Sequence, residues 1–280
     1  MSFLFRHATC NEVFEGWAFA DTCRAIRKAG YDGIEIAPFT LNEFPASITQ
    51  DQRREYRAIM VGEGLAFVGL HWLMVSPKGL HVTTPDDALR VKSWQHIHDL
   101  IDLCADLAGD QADKGIMVFG SPFQRGTTGG ITRSAALGNY ARGLASVAVH
   151  AERQGVTILA EALPSAQCDV MNTVAEAAGI VAGIGSPAIR TMFDTHNAAD
   201  EREPHEAIVD RYFEVIRHIH VNEMDGRYPG TADYPFKPLF ETLERRDYRG
   251  WISLEVFDFK PDPVTIVTRS LQYLKGIIEL

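Results

Sequence analysis

Sulfur is scarce in this chain. Its 280 residues include four cysteines, Cys10, Cys23, Cys104 and Cys168, with no C-x-x-C pair among them. That scatter argues against a zinc knot or a disulfide framework and for reduced, buried thiols in a cytoplasmic protein. Long apolar runs are missing too: nothing approaches the roughly 18 residues a membrane helix needs. The amino terminus, Met1-Ser2-Phe3-Leu4-Phe5-Arg6-His7, lacks the basic-then-apolar layout of a secretory signal. Lysine and arginine form no run and the net charge is −10, so neither a nucleic acid nor an anionic membrane is an expected partner. No G-x-G-x-x-G follows the first expected strand, which weakens the case for a doubly wound dinucleotide-binding sheet.

What is present is an alternation. Short apolar runs at 3–8, 33–37, 65–70, 115–119, 156–161, 189–194, 215–221 and 251–255 read as strands. Between them lie helical patterns at 19–29, 50–63, 84–108, 133–154 and 172–184, then after Pro204, at 238–246 and from Pro263. The third helix opens on Thr84-Pro85-Asp86-Asp87, with threonine as cap and proline in the first turn. The run Gly120-Ser121-Pro122-Phe123-Gln124-Arg125-Gly126 reads as a loop too rich in glycine for regular structure. Eight strands alternating with eight helices, without a linker, predict an α/β protein: one (β/α)8 TIM barrel domain over 1–280. An open doubly wound sheet is the alternative.

The stretch Arg217-His218-Ile219-His220-Val221-Asn222-Glu223 organises the reading of function. Residues two apart on a strand share a face, so His218 and His220 point together, away from Ile219 and Val221. His220 is the last inward residue before a turn-rich run, at the end of the strand where barrel active sites are built. A single such histidine has an ordinary explanation as a hydrogen-bonded core residue. Three other strand ends give it company: Glu161, Asp194 and Glu255. Clustered carboxylates repel unless a cation or a shared proton relieves them. Two glutamates, an aspartate and a histidine, with no sulfur, suit one divalent cation of the Mn²⁺, Mg²⁺ or Co²⁺ kind better than structural zinc.

In Ile158-Leu159-Ala160-Glu161, Met192-Phe193-Asp194-Thr195-His196-Asn197, His218 through Pro229-Gly230, and Ser253-Leu254-Glu255, the chain resembles the xylose-isomerase-like barrels. Within them it is most similar to ketose 3-epimerases of the D-tagatose/D-allulose type. The resemblance implies that Glu161, Asp194, His220 and Glu255 hold one divalent metal, usually Mn²⁺, and that Glu161 and Glu255 are the catalytic acid/base pair. It also implies a homodimer or homotetramer. The chemistry is coherent: a ketose C3–H is acidified by the neighbouring carbonyl, a metal bridging O2 and O3 would stabilise a cis-enediolate, and two carboxylates would exchange protons on opposite faces. Three positions depart from the family pattern. Gln167 stands where a substrate-binding glutamate is usual, Arg227 lies one step beyond the usual arginine, with Gly226 in its place, and His196 is shifted in Asp194-Thr195-His196. All three remain candidate substrate contacts.

Glu35, at the end of the second strand, is a candidate for substrate hydroxyls or for pairing with a cation. His71 and Trp72 stand where a sugar needs a hydrogen-bond partner and an apolar wall. Arg125 reads first as an exposed loop cation; with no lysine-rich phosphate pocket, the expected substrate is a free sugar, an unphosphorylated ketose or related polyol. His218 is expected to orient a ligand or fill the layer below, and Trp17 and Phe257 are candidate pocket walls. The same metal shell would also serve an aldose–ketose isomerase or a dehydratase of the inosose or 3-dehydroshikimate type, and the ligands do not choose between them. A DNA-repair endonuclease of this architecture would need a trinuclear zinc site with more histidines, and the acidic charge disfavours it. A metal-dependent sugar-binding subunit is the non-enzyme alternative, although pure binding would not require both glutamates.

Overall fold

Parallel strands bury both faces only when helices cover one side and a barrel interior takes the other. The computed structural model, which describes residues 5–278, has that arrangement. Its strands are β1 (Arg6–Cys10), β2 (Gly33–Ile36), β3 (Ala66–Leu70), β4 (Ile116–Phe119), β5 (Thr157–Ala160), β6 (Ile189–Asp194), β7 (Ile216–Val221) and β8 (Trp251–Leu254). They pair in sequence order, all parallel, and β8 closes on β1. The long helices α1 (Phe19–Ala29), α2 (Gln50–Gly62), α3 (Asp87–Ala108), α5 (Arg133–Gln154), α6 (Val174–Ile184), α7 (His205–Arg211), α8 (Phe236–Arg245) and α9 (Pro263–Ile278) follow the strands in turn. Among the described residues no helix is long and apolar enough to cross a membrane, and all four cysteines are buried and unpaired.

Three elements differ from the expectation. Phe3 and Leu4 of the expected first strand lie outside the described residues. The strand runs on to Cys10, because Thr9 and Cys10 still pair with Ile34 and Glu35. The third helix starts later than Pro85: Asp86 is its cap, with Oδ1 accepting the Leu89 N–H at 3.1 Å, while the Thr84 hydroxyl accepts the Asp86 N–H. The run 120–126 is not wholly irregular. Pro122–Arg125 forms a short helix, α4, entered through Ser121 at φ 50. Proline in a first turn tolerates its missing N–H, so the flanking glycines end this helix rather than prevent it.

The strand residues sort by face. Ile34, Ile158, Ile189, Ile219 and Ile252 join clusters with residues of the surrounding helices. Ala8, Val68, Ile116, Val118, Leu159, Met192 and Trp251 form a separate small cluster drawn from strands. Residues two further on share that inner face, at the mouth: Leu159 leads to Glu161 and Met192 to Asp194. The polar site therefore stands directly on the apolar plug of the barrel.

Candidate metal centre and substrate cavity

Glu161, Asp194, His220 and Glu255 converge. All four are buried, and each offers one ligand atom within 4.8 Å of the others. Nδ1 of His220 lies 3.0 Å from Oε2 of Glu255 and 3.5 Å from Oδ2 of Asp194. Asp194 is fixed by its own turn: its Oδ1 accepts the N–H groups of His196 and Asn197 at 2.7 and 2.9 Å. That leaves Oδ2 buried and without a hydrogen-bond partner among the described residues. A buried carboxylate oxygen left in that state is costly unless a cation completes it.

Beneath this shell lies a further layer. Of the two readings open for Glu35, substrate contact or pairing with a cation, the structure shows it paired with histidines; His71, expected to meet substrate, is like it without solvent exposure, and neither lies on the cavity wall. Glu35 accepts from Nε2 of His218 at 2.8 Å and sits 3.1 Å from Nε2 of His220. It therefore fixes the ring of His220 so that Nδ1 faces the cluster, as carboxylates behind metal-binding histidines commonly do. Cys10 pairs with Glu35 at the level of the strand ends, and the ring of His220 reaches to its carboxylate. His71 bonds Oε2 of Glu12 at 2.7 Å. Glu12 was not picked out from sequence because β1 was placed two residues too early; it lies on the single 3-10 turn that leaves Cys10.

Both glutamates of the shell are held by neighbours. Oε1 of Glu161 accepts from Asn197 at 2.8 Å, and Oε1 of Glu255 accepts the indole N–H of Trp72 at 2.7 Å. Arg125 is no exposed loop cation. It has zero exposure, stands over the Tyr140 ring, and donates to the carbonyls of Phe119 and Glu161 at 3.2 and 2.6 Å. The α4 turn drives it inward, where it ties the ends of β4 and β5 together. Gly120, read from the sequence only as part of a glycine-rich loop, makes room for the carboxylate: a Cβ there would lie 2.2 Å from Oε2 of Glu161. Gly120→Ala is accordingly expected to push Glu161 aside and weaken divalent-metal affinity by roughly 10–100-fold, the cost typical of disturbing a ligand's support. Calorimetric titration with Mn²⁺ checks this, and an unchanged affinity would show that Glu161 relocates harmlessly.

The charges of the shell explain its chemistry. Burial, then Glu255 and Asp194, push Glu161 up to about 8. Burial likewise raises Glu255, with His220 working against it. For Asp194 burial acts upward, but contact with His220 outweighs it and holds the carboxyl below its usual range. Burial would lower His220, yet Glu35 and Glu255 hold it well above the ordinary value. Without a cation, the site relieves its crowding by keeping protons on Glu161 and His220. A divalent ion would replace those protons, and the mixed O/N donor set with its orphaned Asp194 oxygen fits one. Loading at neutral pH should therefore release protons, and binding should tighten as pH rises toward about 8, where Glu161 gives up its own. Titrations in buffers of unequal ionisation heat measure the release; a pH-independent affinity would contradict it.

Above the shell opens a cavity of about 550 Å³. Glu161, Glu255 and Asn197 line it, as do the expected contacts Trp72, Gln167, His196 and Phe257. Nδ1 of His196 donates to the Met224 carbonyl at 2.8 Å, so its Nε2 is the acceptor for the Gln167 amide at 3.2 Å. Trp72, at φ 52, stacks against Phe257 with centroids 6.2 Å apart. Arg227 does not join them. It is half-buried, off the cavity wall, and donates from Nε to Asp225 at 2.8 Å. The residue one step earlier is Gly226, at φ 80, where a Cβ would crowd Phe257 at 3.1 Å, so a side chain there would be strained and would press on the cavity wall. Trp17 packs on Phe14, also away from the cavity.

Comparison with known proteins agrees with this architecture. The sequence model described as xylose isomerase-like TIM barrel matches residues 23–277. An L-ribulose 3-epimerase of Methylomonas sp. (strain DH-1) is 25% identical over 244 residues, covering 86% of this chain and 80% of that protein. A fructoselysine 3-epimerase of Escherichia coli O157:H7 is 21% identical over 262 residues, covering 91% and 92%. Among solved structures, the apo form of a 3-keto-D-glucoside 4-epimerase from E. coli superposes with a TM-score of 0.83. It is 19% identical, with 97% of this chain and 99% of that one covered.

Proposed function

The chain belongs to the xylose isomerase-like TIM barrel family, and from that footing we propose that it is a ketose 3-epimerase dependent on one divalent cation, Mn²⁺ first among Mn²⁺, Mg²⁺ and Co²⁺. The observation that carries the reading is the pair Glu161 and Glu255. Both line one cavity and both belong to the four-ligand cluster. When bound, the cation would polarise the substrate's oxygens as a Lewis acid. Proton movement is left to the chain. One carboxylate takes the C3 proton, the electron pair left behind is drawn toward the C2 carbonyl oxygen, and the other carboxylic acid returns a proton to the opposite face of C3. Asn197 holds Glu161 by one oxygen, and Glu255 is oriented by Trp72 through one oxygen and by His220 through the other.

The substrate is read as an unphosphorylated ketose. Lys78 is the one cationic side chain among the cavity-lining residues, and Arg125 is occupied with backbone carbonyls. Turnover in D₂O tests the reaction directly, since an epimerase of this kind places deuterium at C3 and leaves C1 unlabelled. Label at C1 with an aldose product would assign the chain to isomerases. Loss of water with a new ultraviolet-absorbing carbonyl would make it a dehydratase.

A further inference from the structure

The cavity is too large and too apolar on one side for a ketose alone. Six CHOH units, each taken at roughly the 30 Å³ of a water molecule, come to about 180 Å³, whereas the cavity holds about 550 Å³. The sugar's place is fixed by Glu161 and Glu255. Away from the glutamates the wall is mainly apolar, carrying Val75, Pro122, Phe123, Leu163 and Ala166, with Lys78, Ser121 and Gln124 as its polar members. Pro122, Phe123 and Ala166 also line a neighbouring recess of about 400 Å³ that reaches Thr127 and Asp169, which puts them on the side leading away from the metal ligands. Phe123 is 85% exposed on α4, a large aromatic left against water at the rim. A hydroxyl-covered sugar gains little from such a wall, because its polar groups would lose water without finding partners. An apolar group gains from it in proportion to the area it buries.

Resting on the epimerase reading above, we propose that the natural substrate is a ketose carrying an apolar substituent, aromatic or alkyl, at a carbon remote from C2 and C3. The sugar sits between Glu161 and Glu255, and the substituent lies along the Pro122–Phe123–Ala166 wall. Specificity then comes from two unlike halves of one cavity, hydrogen bonds at the metal end and shape at the other.

The test compares a ketohexose with the same sugar bearing a benzyl ether on its terminal carbon, using Mn²⁺-loaded protein. The ratio of kcat/KM, ether over parent, is expected to exceed about tenfold and to fall toward unity in Ala166→Trp and in Phe123→Ser. Both positions are exposed, so neither substitution disturbs the core. Calorimetric binding of the two sugars separates this proposal from the reaction it rests on. If neither sugar turns over but the ether binds about tenfold tighter, and Ala166→Trp removes that preference, the epimerase reading fails and the substituent site stands. Equal efficiencies with equal affinities would overturn the proposal. So would a Phe123→Ser variant that dissociates an oligomer while keeping the wild-type ratio, since Phe123 would then serve a contact between copies.

Discussion

Glu161→Gln and Glu255→Gln are each expected to lower epimerisation by roughly 10²–10⁴-fold, the scale of a lost general acid or base. The two variants should differ in what they retain. If the glutamates serve opposite faces of C3, each variant keeps one working carboxylate. It should then still exchange the C3 hydrogen of one epimer with D₂O while failing to invert it. The complementary epimer should exchange in the other variant. This separates proton transfer from a loss of metal, because a variant without its cation should exchange neither. Metal content by elemental analysis accompanies the measurement. Equal and complete loss of exchange in both, at wild-type metal content, would exclude a two-base mechanism. The surroundings differ enough to make an asymmetry visible, since Glu161 is held by Asn197 and Gly120, and Glu255 by Trp72 and His220.

Removing the divalent ion should have a larger effect still. Dialysis against a chelator is expected to abolish turnover, and Mn²⁺ or Co²⁺ should restore it. Asp194→Asn is the sharpest single substitution. Both backbone donors to Oδ1 come from residues 196 and 197, and the amide oxygen can keep them. The amide nitrogen would then occupy the position of Oδ2, the buried oxygen that lacks a partner. The turn is preserved while one anionic ligand is lost, so affinity should fall by at least about 100-fold, beyond the effect of disturbing a supporting residue. His220→Ala removes the nitrogen donor and also takes from Glu35 one of the two histidines that hold its carboxyl down against the upward push of burial, leaving His218 alone to pair a buried charge. That variant should therefore lose stability as well as metal, as weakening the pairing of a buried charge requires. Full activity in protein shown to be free of metal would end the metal-dependent reading.

The local pattern was enough for the barrel and for which residues share its mouth. Strand periodicity put His218 and His220 on one face, and the four expected ligands fell at successive strand ends because each βα unit, whatever its length, brings the chain back to the same end of the barrel. That inference needs only the period of two and the closure of parallel strands. Residues whose roles depend on depth or on a partner far along the chain were not legible in this way. Arg125 sits in a polar, glycine-flanked run that looks exposed, and only the α4 turn shows it driven under the Glu161 carbonyl. Glu35 and Glu255 both stand at strand ends, yet the first serves His220 from below and the second faces the cavity. What separates them is the set of partners each carboxylate meets, His218 and His220 for Glu35 and Trp72 and His220 for Glu255, contacts between strands far apart in the chain rather than properties of either segment alone. Gly120 matters through a carboxylate 41 positions later, by the absence of an atom, which no composition or period records. Sequence by itself thus determined the fold class and the chemistry gathered at one end of the barrel, because both follow from repeating local geometry. The tertiary structure alone decided which of those groups meet the cavity, which support from beneath, and how the space above them is shaped.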